Sequence, residues 1–255
     1  MFIEKPKILK QISNFCIIFN GLPIQCVPSI KILGVIIDDK LEWTTQINYV
    51  SKRCNNIITS LYPLKNVLKC ASKIIIINAY VLSIINYASV VWLNSSKNNC
   101  KIIDKLLKRS GRFIYRKRYI DTITKQICVD LKWLTSSFKY QFEVLKIAFS
   151  IMHGTAPDYF VNYLNFNNFT QRTTRNECKN YMIASHENSL SSFRSNATKL
   201  WLDLPDRFKD VTLSLNKFKY HIFTTLLSKQ TAELVTQENN MMYQTCIDNA
   251  IAMYL

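Results

Sequence analysis

The sequence predicts a mainly α-helical chain with a small β-rich N-terminal edge. Three observations predict it. Only four glycines and six prolines occur in 255 residues, too few for a loop-rich or all-β chain. The pair Asn20-Gly21 sits between two short apolar runs, which is a hairpin signal. Beyond Trp43 the longer apolar patterns repeat at three and four residues, the period of helices. Hydrophobic residues make up 48% of the chain, enough for a packed core and unlike a disordered polymer.

The N-terminal edge spans residues 14–37. Asn20 and Gly21 both tolerate positive φ, so the runs beside them pair as a hairpin. Pro28 keeps the stretch before it out of a central strand. Ile32 to Ile37 then reads as one strand, in which Gly34 permits close approach by another backbone. Asp38-Asp39 follows. Nucleotidyl transfer on two metals needs carboxylates contributed from more than one strand. The only other acids in the first hundred residues are Glu4 and Glu42, and adjacent strand residues face opposite ways. The pair therefore reads as a strand-end turn that helps start the next helix.

The first helix buries Ile47, Val50, Cys54, Ile57, Ile58 and Leu61, exposes Lys52 and Arg53, and is closed by Pro63. Residues 74–93 contain no charge and read as one helix capped by Ser72 and ending near Asn94. That length permits a membrane span. Asn78, Ser83, Asn86 and Ser89 interrupt it, which favours a buried helix over a span. A third helix, 98–117, buries Ile102, Ile103, Leu106, Leu107 and Ile114. Its other face carries Lys101, Lys105, Lys108, Arg109, Arg112 and Arg116, more cations than the helix dipole requires. Residues 121–135 read as a helical turn and a connection. Phe138, Phe142, Leu145, Phe149 and Met152 mark a core-facing helix stopped by Gly154 and Pro157. Residues 165–196 read as a polar loop. A last helix covers 214–228, with Phe218, Ile222 and Leu226 inward, and the tail after it adds a further helix.

Charge bounds the function. The chain carries a net +16, and residues 51–118 hold fourteen Lys or Arg against one acid, Asp104. Such a block suits an anionic partner, either nucleic acid or a lipid surface, or else forms a solvated face that keeps the chain soluble. The eight cysteines have no zinc-like spacing, and His153, His186 and His221 lie far from any such pair. Reduced, buried thiols in an intracellular protein, nuclear or cytoplasmic, are the expectation. The N-terminus has no apolar h-region, so secretion is not expected. No P-loop, nucleophile elbow or H-E-x-x-H motif occurs.

Five stretches carry a family resemblance. "SIKILGVIIDDKLEWTTQINYVSKR" resembles the end of the reverse transcriptase domain of non-LTR (LINE-type, jockey-like) retrotransposons, where an aromatic-Leu-Gly-Val strand precedes an acid, a Trp and a basic helix. The order continues through "IINYASVVWLNSS", "IIDKLLKRSGRFIY", "FEVLKIAFSIMHGTAPDYF" and "KLWLDLPDRFKD" with "LNKFKYHI", covering residues 17 to 228. Ile32 stands where an aromatic is usual. Leu202 stands where the family's W-N-x-L-P has Asn, so no role of that Asn carries over.

The resemblance implies an arrangement. Residues 1–42 would be the end of the palm, with Leu33 and Gly34 in a primer-grip-like strand. Residues 43–119 would be a basic, thumb-like helical bundle. Connecting helices over 120–164, a polar linker over 165–198 and a C-terminal helical segment over 199–255 would follow. Lys52, Arg53, Lys101, Lys105, Lys108, Arg109, Arg112, Arg116, Lys117 and Arg118 would contact nucleic acid. The partner would be RNA or an RNA–DNA template–primer duplex, held through backbone and shape and not through sequence. The catalytic Tyr-x-Asp-Asp, an earlier aspartate, the fingers and the endonuclease belong upstream of Met1 in this register. No catalytic residue or cofactor is therefore expected in this chain, and magnesium only with the palm. Alone it would bind without polymerising. A truncated relic without function and a membrane-associated basic protein are the competing readings. Binding that falls with salt, and falls again when Lys108, Arg109 and Arg112 become Ala, is the expectation for the leading one.

Overall fold

The computed structural model describes residues 17–24, 27–160, 166–167, 181–182, 193–209 and 213–254. The chain forms two compact units, Met1–Ile123 and Thr124–Leu255. Among the described residues it is mainly helical, with a small N-terminal β region, as the sequence predicts.

The first unit opens with two hairpins. Strand β1 (Ile17–Phe19) pairs antiparallel with β2 (Leu22–Ile24) across Asn20-Gly21, whose φ values are 48° and 75°. The strand expected over Ile32–Ile37 is instead a second hairpin. Strand β3 (Ser29–Ile32) pairs with β4 (Val35–Asp38), and Leu33 and Gly34 are its two turn residues, at φ 46° and 86°. Left-handed backbone is free for Gly34 but costs Leu33 about 1 kcal/mol. The Tyr87 hydroxyl, donating to the Leu33 carbonyl at 2.6 Å, holds that conformation.

Asp38 closes β4 with its own side chain. Its carboxylate accepts the Glu42 and Trp43 N–H groups at 2.8 and 2.9 Å, while the Asp39 N–H donates to the Pro28 carbonyl at 3.0 Å. Asp38 thus sets the entry to helix α1 (Thr44–Leu61), the turn role read from sequence.

Ile47, Val50, Cys54 and Ile58 are buried along α1, and a 3₁₀ turn containing Pro63 (Tyr62–Lys65) ends it. Burial pushes the Cys54 thiol up to about 11, against the opposing pull of Arg53, which leaves it protonated and unreactive near neutral pH. Cys128 is also buried, but Cys70 is exposed and Cys100 only partly covered, so burial of thiols is not general.

The apolar segment 74–93 is not one helix. Helix α2 (Cys70–Ile77) starts four residues earlier and continues through a π-helical stretch (Asn78–Leu82) into α3 (Ser83–Asn86). Ser72 lies inside the first turn, and Lys69 takes the cap position without a side-chain bond. The chain then breaks at Ala88, φ 47°, before α4 (Ser89–Trp92). Trp92 Nε1 donates to the Tyr87 carbonyl at 3.2 Å across the break, and this seating lets Tyr87 reach the β3–β4 turn. Asn78, Ser83 and Asn86, three of the four residues that interrupt the apolar run, are exposed; Ser89, the fourth, is buried, as are Ile77, Val81 and Ile85. Among the described residues no helix is long and apolar enough to cross a membrane.

Helix α5 (Lys97–Ile114) completes this unit; Ser96 caps it by accepting the Asn99 N–H at 3.3 Å. Two buried amides tie the helices to the hairpin and to the turn that follows it. The Ile36 N–H donates to Gln46 Oε1 at 2.9 Å, and Asn99 Nδ2 donates to the Glu42 carbonyl at 3.0 Å.

The second unit holds α6 (Thr124–Val129), α7 (Ser136–Met152), the short pair β5 (Phe166–Asn167) and β6 (Tyr181–Met182), α8 (Phe193–Leu202) and α9 (Leu215–Tyr254). The aromatic stripe of α7 is core: Phe149 stacks on Phe218 of α9 with ring centroids 4.0 Å apart, and Trp201 of α8 lies 6.2 Å from Phe218. Gly154, at φ 63°, follows the end of α7. Most of the predicted polar loop lies outside the described residues, but its end, from Phe193, is helical. The last helix is longer than the predicted 214–228 and absorbs the tail, because no glycine or proline interrupts residues 215–254.

A three-charge cluster stabilises α7. Glu143 receives the Lys139 and Lys146 ammonium groups at 2.8 and 2.6 Å. Partial burial pushes its carboxyl up, but the two ammonium groups outweigh that, and the net shift is downward. Glu143→Gln is expected to cost about 1 kcal/mol at neutral pH. Since the folded carboxyl is the stronger acid, the cluster's contribution is full above the ordinary carboxylate range and is lost as pH falls through the lowered folded value. Urea unfolding at pH 7 and pH 3 checks this: the gap between wild type and variant closes in acid.

Candidate nucleic-acid interface

The basic block falls wholly in the first unit, and α5 organises it. Positions 101, 105, 108, 109 and 112 recur at three and four residues and so share one side of the helix, opposite the buried Ile103, Leu106 and Leu107, while Arg116 lies just beyond α5, which ends at Ile114 and not at the predicted 117. Helices α1 and α5 pack together, and Arg109 is their polar tie. Its guanidinium donates to Asn55 Oδ1 at 2.5 Å and to Thr59 Oγ1 at 2.9 Å, both on α1. Lys52 and Arg53, also on α1, are exposed.

The C-terminal end of α5 is fastened by cations. The Lys117 N–H donates back to the Arg112 carbonyl at 3.0 Å, which closes the helix with Arg116 left-handed at φ 56°, a position that favours glycine. Arg116 justifies its side chain by donating to the Asn66 and Leu68 carbonyls at 2.8 and 3.5 Å. Lys65 reaches the Lys117 carbonyl at 3.2 Å. Beneath them lies Lys73, only 1% exposed, whose ammonium donates to the Lys65 and Phe113 carbonyls, both at 3.4 Å. Burial first, then the repulsion of Arg116 and Lys65, lowers its pKa below the ordinary lysine value, partly opposed by Cys70. The position of Lys73 in the core has no periodic signal in the sequence.

Beyond the helix, Arg118 and Asp121 form a small closed turn. Asp121 accepts the Arg118 N–H at 2.7 Å, pairs with its guanidinium at 3.8 Å, and donates its own N–H to the Arg118 carbonyl at 3.2 Å. Arg112 Nε donates to the Asp121 carbonyl at 3.2 Å, and its guanidinium lies 5.4 Å from the Tyr119 ring centroid.

The ten candidate cations therefore divide by what they touch. Arg109, Arg112, Arg116 and Arg118 bond within the unit. Lys52, Lys101, Lys105 and Lys108 make no hydrogen bond, ion pair or ring contact with the described residues. Lys101 and Lys105 are exposed and Lys108 is partly exposed, with Asp104 the one acid among them. Lys117 and Arg53 are exposed as well. Leu33 and Gly34 are at the tip of the second hairpin, with Leu33 86% exposed. The anchoring role of Arg109 and Arg116 was not visible in sequence, because their partners lie about fifty residues away. Comparison with family models, with curated proteins and with solved structures finds no match to this chain.

Proposed function

We propose that this chain is a C-terminal, thumb-containing part of a retrotransposon-type reverse transcriptase, and that its first unit binds the backbone of a template–primer duplex without reading sequence. The observation that carries the binding is the row Lys101, Lys105, Lys108 on α5, three ammonium groups without partners among the described residues. Seven residues of helix span about 10 Å, which faces roughly three phosphates of one strand. The arginines behind the row fix the helix that presents it. The five ordered sequence stretches support the family part of the reading, as does the exposed β3–β4 hairpin where a primer-grip element would lie.

The test is fluorescence anisotropy of the full chain with a 20-base-pair RNA–DNA hybrid over a KCl series. Binding is expected to weaken steeply with salt. Lys101→Ala, Lys105→Ala and Lys108→Ala together should lower affinity at least tenfold and reduce the salt slope by about two to three. Removing equal charge from the second unit, at Lys125, Lys217 and Lys229, should change affinity less than threefold. Equal losses from both triples, or affinity indifferent to salt, would sink the reading. Arg109 and Arg112 are poor test positions, since alanine there loosens the unit and confuses binding with folding.

A further inference from the structure

The turn after α5 carries a feature that phosphate binding does not use. Tyr119 is 88% exposed and Ile120 beside it 76%. A single exposed aromatic needs no explanation. This one stands on a turn locked by Asp121, with the Arg112 guanidinium 5.4 Å from its ring centroid and with Lys117 and Arg118 exposed next to it. A guanidinium covers at most one face of a ring, so the other is open to a flat partner. The surrounding charge selects an anionic partner over a neutral apolar one.

We propose that Tyr119 is a stacking platform for an unpaired nucleobase. The strand's phosphates would meet Lys117 and Arg118, while the base lies on the ring. Single-strand binders combine an aromatic face with neighbouring cations, and stacking tolerates any base because every base has a π-face. Duplex ends and overhangs expose such a base; the middle of a duplex does not. The platform thus adds a preference for a junction between paired and unpaired strand to the backbone binding proposed above, and it rests on that reading.

The experiment compares three probes on the full chain: a blunt RNA–DNA hybrid, the same hybrid with a four-nucleotide RNA overhang, and a twelve-nucleotide single-stranded RNA. Wild type should bind the overhang probe more tightly than the blunt one. Tyr119→Ala should weaken the overhang and single-strand probes roughly five- to tenfold and leave the blunt hybrid within twofold. Tyr119→Phe, which keeps the ring, should restore binding. Ile120→Ala, which removes apolar surface without a ring, should have no selective effect. If Tyr119→Ala leaves all three probes unchanged, or weakens blunt and overhang probes alike, the platform is wrong while the duplex reading stands. If wild type binds none of the probes, the proposed function fails and takes the platform with it.

Discussion

Lys73→Ala is expected to destabilise the first unit by about 3–4 kcal/mol, whereas Lys73→Met should cost about 1 kcal/mol or less. The two numbers separate what the side chain does as volume from what it does as charge. Lys73 is almost fully covered, so truncation to alanine opens a cavity of the size that costs buried Met→Ala changes 2–5 kcal/mol. It also leaves the Lys65 and Phe113 carbonyls without their donor. Methionine refills the space. It forfeits two long hydrogen bonds, one of them to Phe113 at the negative end of α5, but it also removes an ammonium that is buried beside Arg116 and Lys65 and paired with no carboxylate among the described residues. The pH dependence fixes the sign. Because the folded amine is the weaker base, the unfolded chain holds more protons between the lowered folded value and 10.5, and wild-type stability rises with pH across that window. Lys73→Met has no such rise. In urea titrations at pH 7 and pH 10 the difference should move in favour of wild type as pH increases. An alanine variant within 1 kcal/mol of wild type would show that Lys73 is not a core residue.

Lys73 also shows where sequence reading stops. Periodicity finds apolar faces, and it found them on α1, α5 and α7 because Ile, Leu, Val and Phe recur there at helical spacing. Asn20-Gly21 was legible because both residues favour left-handed backbone. Leu33-Gly34 makes the same kind of turn and was not, since Leu33 adopts it only with help from Tyr87, fifty-four residues away. Buried polar residues fail for a related reason. Gln46, Lys73, Asn99 and Gln230 sit in the core because a backbone group elsewhere needs a partner there. Nothing local marks them. In the candidate interface the cationic row was legible, since one helix holds it all. The division between anchoring arginines and partner-free lysines depends on Asn55, Thr59, Asn66 and Leu68, and only the tertiary structure supplies it.

A large single-residue loss in the second unit is expected at Gln230, which is 2% exposed on α9. Its Oε1 accepts the Thr135 N–H at 2.8 Å and the Thr135 hydroxyl at 3.2 Å. Its Nε2 donates to the Trp133 carbonyl at 3.0 Å and to Cys128 Sγ at 2.8 Å. One amide thus uses its full bonding capacity to hold the connection between α6 and α7, including the cap residue of α7, onto α9. Gln230→Ala removes the partners of two backbone groups and leaves a cavity, for an expected loss of about 3–4 kcal/mol. Gln230→Glu is the sharper probe because the two side chains have the same shape. As a carboxylate it would turn a second oxygen toward the Trp133 carbonyl and bury a charge, so at pH 7 it should be at least as damaging as alanine. Protonated, it regains a donor. Burial raises the folded carboxyl above its unfolded value, and the variant's stability should therefore be highest near pH 4 and decline as pH rises through the raised folded value. Chemical unfolding of Gln230→Ala and Gln230→Glu at pH 4 and pH 7 reads both effects. Recovery of the Glu variant alone in acid assigns the loss to the amide's donor, because a cavity is indifferent to protons.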